Sequence, residues 1–288
     1  MTAENSTPFT PAAARALLQP RPAVGHKGTF GTALLICGSR QMGGCTILAA
    51  RACLRSGVGK VVVHVPQSLS TVVMTAVPEA VVSIDESEAD DTFTTVPQGT
   101  FDAVGIGPGL GLSSDTEKAL FEEIHLRKDT PHVLDADALT LLARHKDWKN
   151  LLPAQAVLTP HLGELGRLVS TTLHEETRLT TAHEIACAAR CQLVAKGHPT
   201  YTVTPEGKVL VNTTGSNAIA TAGSGDVLTG IIVSLLAQGY ASNKAAPLGV
   251  FLHGLAGDIA AKELGNHSVI ASDIIDYLPQ AFRCITAS

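Results

Sequence analysis

The chain has 288 residues, of which 45% are hydrophobic and only 4% aromatic, with a mean hydropathy of +0.21. That is enough apolar material for one large α/β domain and excludes a disordered chain; the shortage of rings leaves the core to Ala, Val, Leu and Ile. A net charge of −5, from 21 Lys+Arg against 26 Asp+Glu with no basic run, argues against a nucleic-acid backbone as partner.

The opening "MTAENSTPFT" lacks the basic-then-apolar order of a secretory signal, so a soluble cytoplasmic protein is expected. "PAAARALLQPRP" predicts a short helix ended by Pro20 and Pro22, and residues 1–25 read as an N-terminal extension ahead of a single domain over 26–288. "TALLICG" is a continuous apolar run closed by Gly38, as expected of a strand buried on both faces. The loop "GSRQMGG" and the helical "CTILAARACLRSG" follow, and then a second strand, "KVVVHVP". "FDAVGIGPGLG" is a strand entering a glycine loop, while "HVLDADAL" and "AVLTPHLGELGRLV" are strands turning into helices, the first helix beginning at Ala138. "CQLVAKG" is another buried strand, and "TYTVTPEGKVLVN" a hairpin turning near Pro205, Glu206 and Gly207. Three helices close the chain, over Asp226 to Gln238, Lys244 to Leu264, and Ser272 to about Phe282.

Strands alternating with helices predict a three-layer α/β/α sandwich around a central, mostly parallel sheet. Ligands gather in such folds where strand C-termini open into loops. The polar and glycine motifs fall there, at Gly38–Gly44, Gly105–Gly111, Asp135–Asp137, Thr159–Glu164 and Lys196–Thr200, which points to an enzyme. "AAPLGVFLHGLAGDIAA" is interrupted by His253 and Asp258, against a membrane span. The six cysteines form no Cys-x-x-Cys and read as reduced thiols; Cys187 and Cys191, expected to share a helix face, read as small buried hydrophobes rather than a metal pair.

Two glycine devices are excluded. The chain has no P-loop, and in "GIGPGLG" the sixth position from Gly105 or Gly107 is Leu, so it is not a dinucleotide fingerprint. "AGSGD" offers more. Gly223, Ser224 and Gly225 let backbone wrap an anion at a helix start, and Asp226 either caps that helix or takes a proton from a substrate hydroxyl.

Taken in order, "HKGTFGTALLICGSRQMGGCTILAARACLRSGVGKVVVHVP", "GIGPGLG", "VLDADAL", "LTPHLGELGRL" and "NAIATAGSGDVLTGIIVSLLAQG" resemble the ADP/ATP-dependent NAD(P)H-hydrate dehydratases of the ribokinase-like superfamily. The resemblance runs from about His26 to the C-terminus and implies a single ribokinase-like catalytic domain over 26–288. It implies dehydration of the S epimer of NADHX or NADPHX: the added C6 hydroxyl is phosphorylated by ADP, or ATP, and phosphate then leaves. It also implies that Asp226 is the base and Gly225 a donor to the transferring phosphoryl or nucleotide. Gly43, Gly44, Gly109 and His161 become substrate contacts, and Lys196, Gly197, His198, Pro199 and Thr200 the nucleotide segment. Glu164 would hold Mg²⁺ through water, or is a solvated helix-start residue. Asp135 and Asp137 reach a metal or cap a helix, and Asn212 contacts nucleotide or stabilises a turn.

With about 25 residues before His26, an epimerase is expected as a separate protein, and the resemblance implies a homo-oligomer, a homotetramer among the options. Leu162 stands where the family commonly has Pro, Ala222-Gly223 where it has Gly-Gly, and "MGGCTIL" is glycine-richer than usual. Two other readings are a ribokinase-like kinase of hydroxymethylpyrimidine or hydroxyethylthiazole, and a non-catalytic nucleotide-binding regulator. "HKGTFG" with "LTPHLGE" disfavours the first; the retained Asp226 and Gly225 disfavour the second.

Overall fold

A computed structural model describes residues 6–86 and 91–286. Among these, strands β1 (Thr7–Phe9), β2 (Thr32–Ile36), β3 (Lys60–Pro66), β4 (Val81–Asp85), β5 (Ala103–Ile106), β6 (His132–Leu134), β7 (Val157–Leu158), β8 (Gln192–Ala195), β9 (Tyr201–Val203) and β10 (Val209–Asn212) form one sheet. Its order is β1-β10-β9-β8-β7-β6-β5-β2-β3-β4. Every pairing is parallel except those of β9, which runs antiparallel to both β8 and β10, so the predicted hairpin is present as β9–β10. Thr7–Phe9, within the segment read as an extension, pairs with β10 in this same sheet.

The central strands β2, β3, β5, β6, β7 and β8 bury both faces, as their apolar runs require. Along β2, Ala33 and Leu35 enter one core while Leu34 and Ile36 enter the other, the period-two alternation of a strand. The first core is closed by α1 (Pro11–Leu17), α2 (Gly43–Arg55), α3 (Gln67–Ala76), α8 (Ser224–Ala237), α9 (Ser242–Leu264) and α10 (Ala271–Thr286). The second lies under α4 (Ser114–Leu126), α5 (Ala136–Leu142), α6 (Leu162–Leu168) and α7 (Glu175–Ala189). This is the expected three-layer sandwich. No helix of the described residues is long and apolar enough to cross a membrane.

Three sequence expectations need correcting. Helix α5 starts at Ala136, two residues before the expected Ala138, and α8 starts at Ser224 rather than Asp226. Cys187 and Cys191 do not share a helix face: α7 ends at Ala189, Arg190 turns left-handed (φ 52°), and Cys191 lies beyond. The Cys187 Sγ instead meets His183 Nε2, one turn earlier, at 3.9 Å. All six cysteines are free, with Cys284 exposed and Cys37, Cys45, Cys53 and Cys191 buried.

A segment from Asp91 to Thr100 crosses the second core's edge without regular structure. Asp85 accepts from the amides of Thr94 (2.6 Å) and Thr95 (2.9 Å), and Arg127 donates to the carbonyls of Pro97 (2.6 Å) and Gly99 (3.2 Å). Arg127 also pairs with Glu123, which is fully buried and whose pKa burial pushes up against the arginine's pull. Removing one partner of such a pair strands the other charge in a low dielectric. Arg127→Ala is therefore expected to lower unfolding stability by about 3–5 kcal/mol in urea titrations, with Glu123→Gln costing less.

Candidate active site

The mouth of α8 opens at the C-terminal ends of β5, β6 and β8. The residue in the cap position is Gly223, in the left-handed region at φ +86°, where a Cβ would meet Leu48 Cδ1 at 2.4 Å. With no side chain there, the helix start has no side-chain cap, and Asp226 sits inside the first turn. The amide of Ser224 bonds Thr221 O (3.3 Å) and that of Val227 bonds Gly223 O (3.1 Å). Between them, the amides of Gly225 and Asp226 have no acceptor among the described residues. Two free donors on a helix N-terminus form a site for an anion, since the aligned peptide dipoles add to their pull. From α9, buried His253 brings Nε2 within 3.0 Å of both Ser224 Oγ and Ser224 O; burial drives its pKa down to about 4, so it steadies the loop as a neutral ring.

Charged groups from four strand or helix ends surround this mouth. Lys196, just past β8, donates 2.7 Å to Asp135 Oδ1, just past β6, and lies 3.7 Å from Glu164 Oε2. The second oxygen of Asp135 accepts from Thr229 Oγ1 (2.8 Å), one turn into α8. A Cβ at Gly225 would touch Lys196 Nζ at 3.3 Å and Asp135 Oδ2 at 3.7 Å, so the cluster lies directly against the anion loop. Burial, with Asp135 and Glu164 adding repulsion against the opposing Lys196, raises Asp226 to about 7. Burial would lower Lys196, but Asp135, Glu164 and Asp226 hold it above the ordinary lysine value. The mouth thus combines a lasting cation with a carboxylate that changes protonation near neutrality, the range suited to proton transfer.

The glycine loops meet at one side of this cluster. Gly38 N donates to Pro108 O (2.7 Å), and Cys45 Sγ to Pro108 O (3.2 Å) and Met42 O (2.8 Å). Gly109 has φ +65°, and a Cβ there would collide with Cys45 Sγ at 2.6 Å. Gly43 and Gly44 begin α2, and open space surrounds Gly44. Burial, with the charge of Asp226 adding to it, pushes the Cys45 thiol up to about 12. Asp137 accepts from Gly111 N (2.9 Å) and ties down the same loop.

His161 is the N-cap of α6: its Nδ1 accepts from the amides of Gly163 (3.0 Å) and Glu164 (3.3 Å), and Glu164 Oε2 accepts from His161 N (2.8 Å). This reciprocal cap buries Glu164 rather than leaving it solvated, while the His161 side chain stays 53% exposed. Asp135 occupies the cap position of α5 but makes no capping bond, its oxygens being taken by Lys196 and Thr229. No group of three or more His, Cys, Asp or Glu side chains among the described residues could hold a metal directly. With both Asp135 oxygens and one of Glu164 already engaged, the carboxylates fit an ion carried on phosphates and reached through water.

The segment Lys196-Gly197-His198-Pro199-Thr200, with a cis His198–Pro199 bond, follows β8. Arg178 of α7, not singled out in the sequence, lies beneath it: Nη1 donates to Ala195 O (3.1 Å) and Nη2 to Pro199 O (3.0 Å). A Cβ at Gly197 would strike Arg178 Nη1 at 2.1 Å. The sequence did carry a signal, an arginine on the face that buries Leu179, Ala182 and Ile185. Asn212 donates its backbone amide to Thr200 O (3.0 Å), but its side chain is spent on Thr214, giving 2.7 Å to Thr214 O and accepting 3.2 Å from Thr214 Oγ1. These bonds brace the turn after β10, one of the two roles expected of this residue.

A family model described as NAD(P)H-hydrate dehydratase matches residues 33–280. The chain belongs to the NAD(P)H-hydrate dehydratase family. A Bacillus subtilis relative named ADP-dependent (S)-NAD(P)H-hydrate dehydratase is 35% identical over 77% of this chain and 78% of its own. The bifunctional NAD(P)H-hydrate repair enzyme Nnr of Moorella thermoacetica is 39% identical over 79% of this chain, which spans only 44% of that protein. The crystal structure of the ADP/ATP-dependent NAD(P)H-hydrate dehydratase from Bacillus subtilis, co-crystallized with ATP/Mg²⁺, superposes with a TM-score of 0.86 at 33% identity. The superposition covers 98% of this chain and 99% of that one. The ribokinase-like reading of the fold therefore stands, with the dehydratase reading preferred to the vitamin-precursor kinases.

The raised pKa of Asp226 has a stability consequence in this NAD(P)H-hydrate dehydratase family member. A carboxyl raised from 3.8 to about 7 on folding stabilises the fold in its protonated form. That contribution is complete below the unfolded value and is lost as pH rises through the folded one. Asp226→Asn stays neutral throughout, so its melting temperature should gain on the parent protein's between pH 5 and pH 8. A gap that stays flat across this window would show the carboxylate to be well solvated.

Proposed function

We propose that this chain restores NADH or NADPH from the S epimer of NADHX or NADPHX, using ADP or ATP as phosphoryl donor. The observation that supports the reading best is the half-buried Asp226, raised to about 7, beside two unsatisfied helix-mouth amides and Lys196. The C6 hydroxyl docks against Asp226, which accepts its proton as the oxygen attacks the terminal phosphoryl group. The amides of Gly225 and Asp226 hold the phosphoryl oxygens while charge builds on them, and Lys196 offsets that charge from the opposite side. Hydroxide is a poor leaving group and phosphate a good one, so the C6–O bond of the phosphorylated intermediate then breaks with departure of phosphate, and the adjacent ring carbon gives up a proton to water or to the departing phosphate as the ring double bond re-forms.

Mg²⁺ bound to the nucleotide would supply further charge neutralisation, with Glu164 and Asp135 touching its waters. Gly43, Gly44, Gly109 and His161 line the approach of the dinucleotide, and Lys196 to Thr200 that of the donor. Residues 26–288 act as the catalytic unit in this reading. It carries with it a cytoplasmic homo-oligomer and an epimerase that supplies the S form from the R form.

Incubation with NADHX, Mg²⁺ and ADP or ATP should regenerate the reduced-nicotinamide absorbance, with pure R epimer turned over far more slowly. Turnover of hydroxymethylpyrimidine by ATP with none of NADHX would transfer the reading to the kinase class. Asp226→Asn should retain nucleotide binding and lose turnover by about 10²–10⁴, the scale of a positioned general base. Arg178 touches no reacting atom and serves as a positioning residue. Arg178→Ala should raise the KM for nucleotide about tenfold through the loss of two hydrogen bonds, with kcat nearly unchanged, and Arg178→Lys should recover part of the loss. A fall in kcat at constant KM would place the arginine's effect elsewhere.

A further inference from the structure

A second cavity, of about 690 Å³, lies at the far end of α8 from the reaction mouth. Leu235 and Gln238 line it, whereas Gly225 and Asp226 stand at the helix's other end; across 14 residues that separation is about 20 Å. Its volume falls in the range of small-molecule sites, roughly 300–1,000 Å³. Among the described residues the lining includes three arginines, Arg15, Arg21 and Arg55, and three rings, Phe30, Tyr240 and Phe282, and no carboxylate. In a chain of net charge −5 that concentration of positive charge is unusual. Among the described residues, neither Arg21 nor Arg55 has a carboxylate within ion-pair distance.

Parts of the cavity wall are already held in place. The Arg21 guanidinium lies 3.8 Å above the Phe30 ring, and Arg15 Nε donates 2.9 Å to Ile285 O. The Gln238 amide donates to Ser56 O and Ser234 O, both at 2.9 Å. The Tyr240 hydroxyl accepts from Gln19 N (2.8 Å), leaving its own hydrogen to donate. Guanidinium groups form paired hydrogen bonds to phosphate or carboxylate, and the pair of Arg21 and Arg55 suits a dianion better than a monoanion. Aromatic walls suit a flat ring. From these features we infer that the cavity is a second ligand site, separate from the reaction mouth, for a phosphate monoester carrying a planar ring.

Phenyl phosphate is the simplest probe of that chemistry, with inorganic phosphate and phenol as the half-ligands. Titration calorimetry on the full chain should show saturable binding of phenyl phosphate, tighter than either half. The affinity should persist in Lys196→Ala, which disables the reaction mouth. It should fall at least about tenfold in Arg21→Ala/Arg55→Ala, as expected for two lost charge-assisted contacts. Both arginines are exposed, and an unchanged melting temperature would verify that the double variant folds. The inference is overturned by absent binding at millimolar probe, by inorganic phosphate binding equally well, or by loss in Lys196→Ala with retention in the double variant. The readout is binding alone, so the result is independent of whether the chain dehydrates NADHX.

Discussion

Lys196 and Asp135, held 2.7 Å apart at the ends of β8 and β6, set the electrostatics of the whole mouth. One ammonium faces three carboxyl groups there, so two negative charges more than it can match must be offset by hydrogen bonds or carry a proton. Asp135 is committed to the lysine and to Thr229, and Glu164 to the backbone of His161. The imbalance falls on Asp226, whose carboxyl holds its proton to about 7. A group raised in this way is a stronger base than an ordinary aspartate, yet it ionises within the neutral range. An incoming phosphate would find the lysine already in position, so little reorganisation is required when charge moves.

That arrangement depends on how deeply α8 sits. A Cβ at Gly230 would approach Ala49 O to 2.2 Å, and one at Gly105 would approach Val233 Cγ2 to 2.5 Å. The helix is therefore seated tightly between α2 and β5, with nearly every residue after its first turn buried. Close packing fixes where its N-terminus points, and the two free amides inherit that direction. Loop rigidity follows the same logic on the other side, where Arg178 fills the space beneath Gly197 that a side chain there would need.

The layers of the fold were legible because buried parallel strands write themselves as unbroken apolar runs: β2, β3, β5 and β8 match "TALLI", "KVVVHVP", "AVGI" and "QLVA". The strands at the sheet edges were not, since β1 has three residues and β4 sits half exposed with a polar residue among its valines. Helix starts moved by two residues wherever backbone conformation, and not a capping side chain, set the boundary, as at Gly223. Asp226 and Lys196 could be named from their loops, but their mutual influence could not, because 30 residues and a hairpin separate them in sequence. Arg178 escaped notice for a related reason: its partners are carbonyl oxygens, which carry no residue identity.

Cys45 lies at the seam between the two glycine loops, within the electrostatic reach of Asp226, yet its thiol is pushed up to about 12. Nucleophilic sulfur chemistry runs through the thiolate, which is almost absent at such a value. Electrophiles and peroxide, which titrate reactive cysteines elsewhere, therefore find no purchase inside the cleft. Exposed Cys284 near the C-terminal end is the sulfur they would meet first, which offers a handle for tethering dyes or surfaces while the working end of the molecule stays chemically silent.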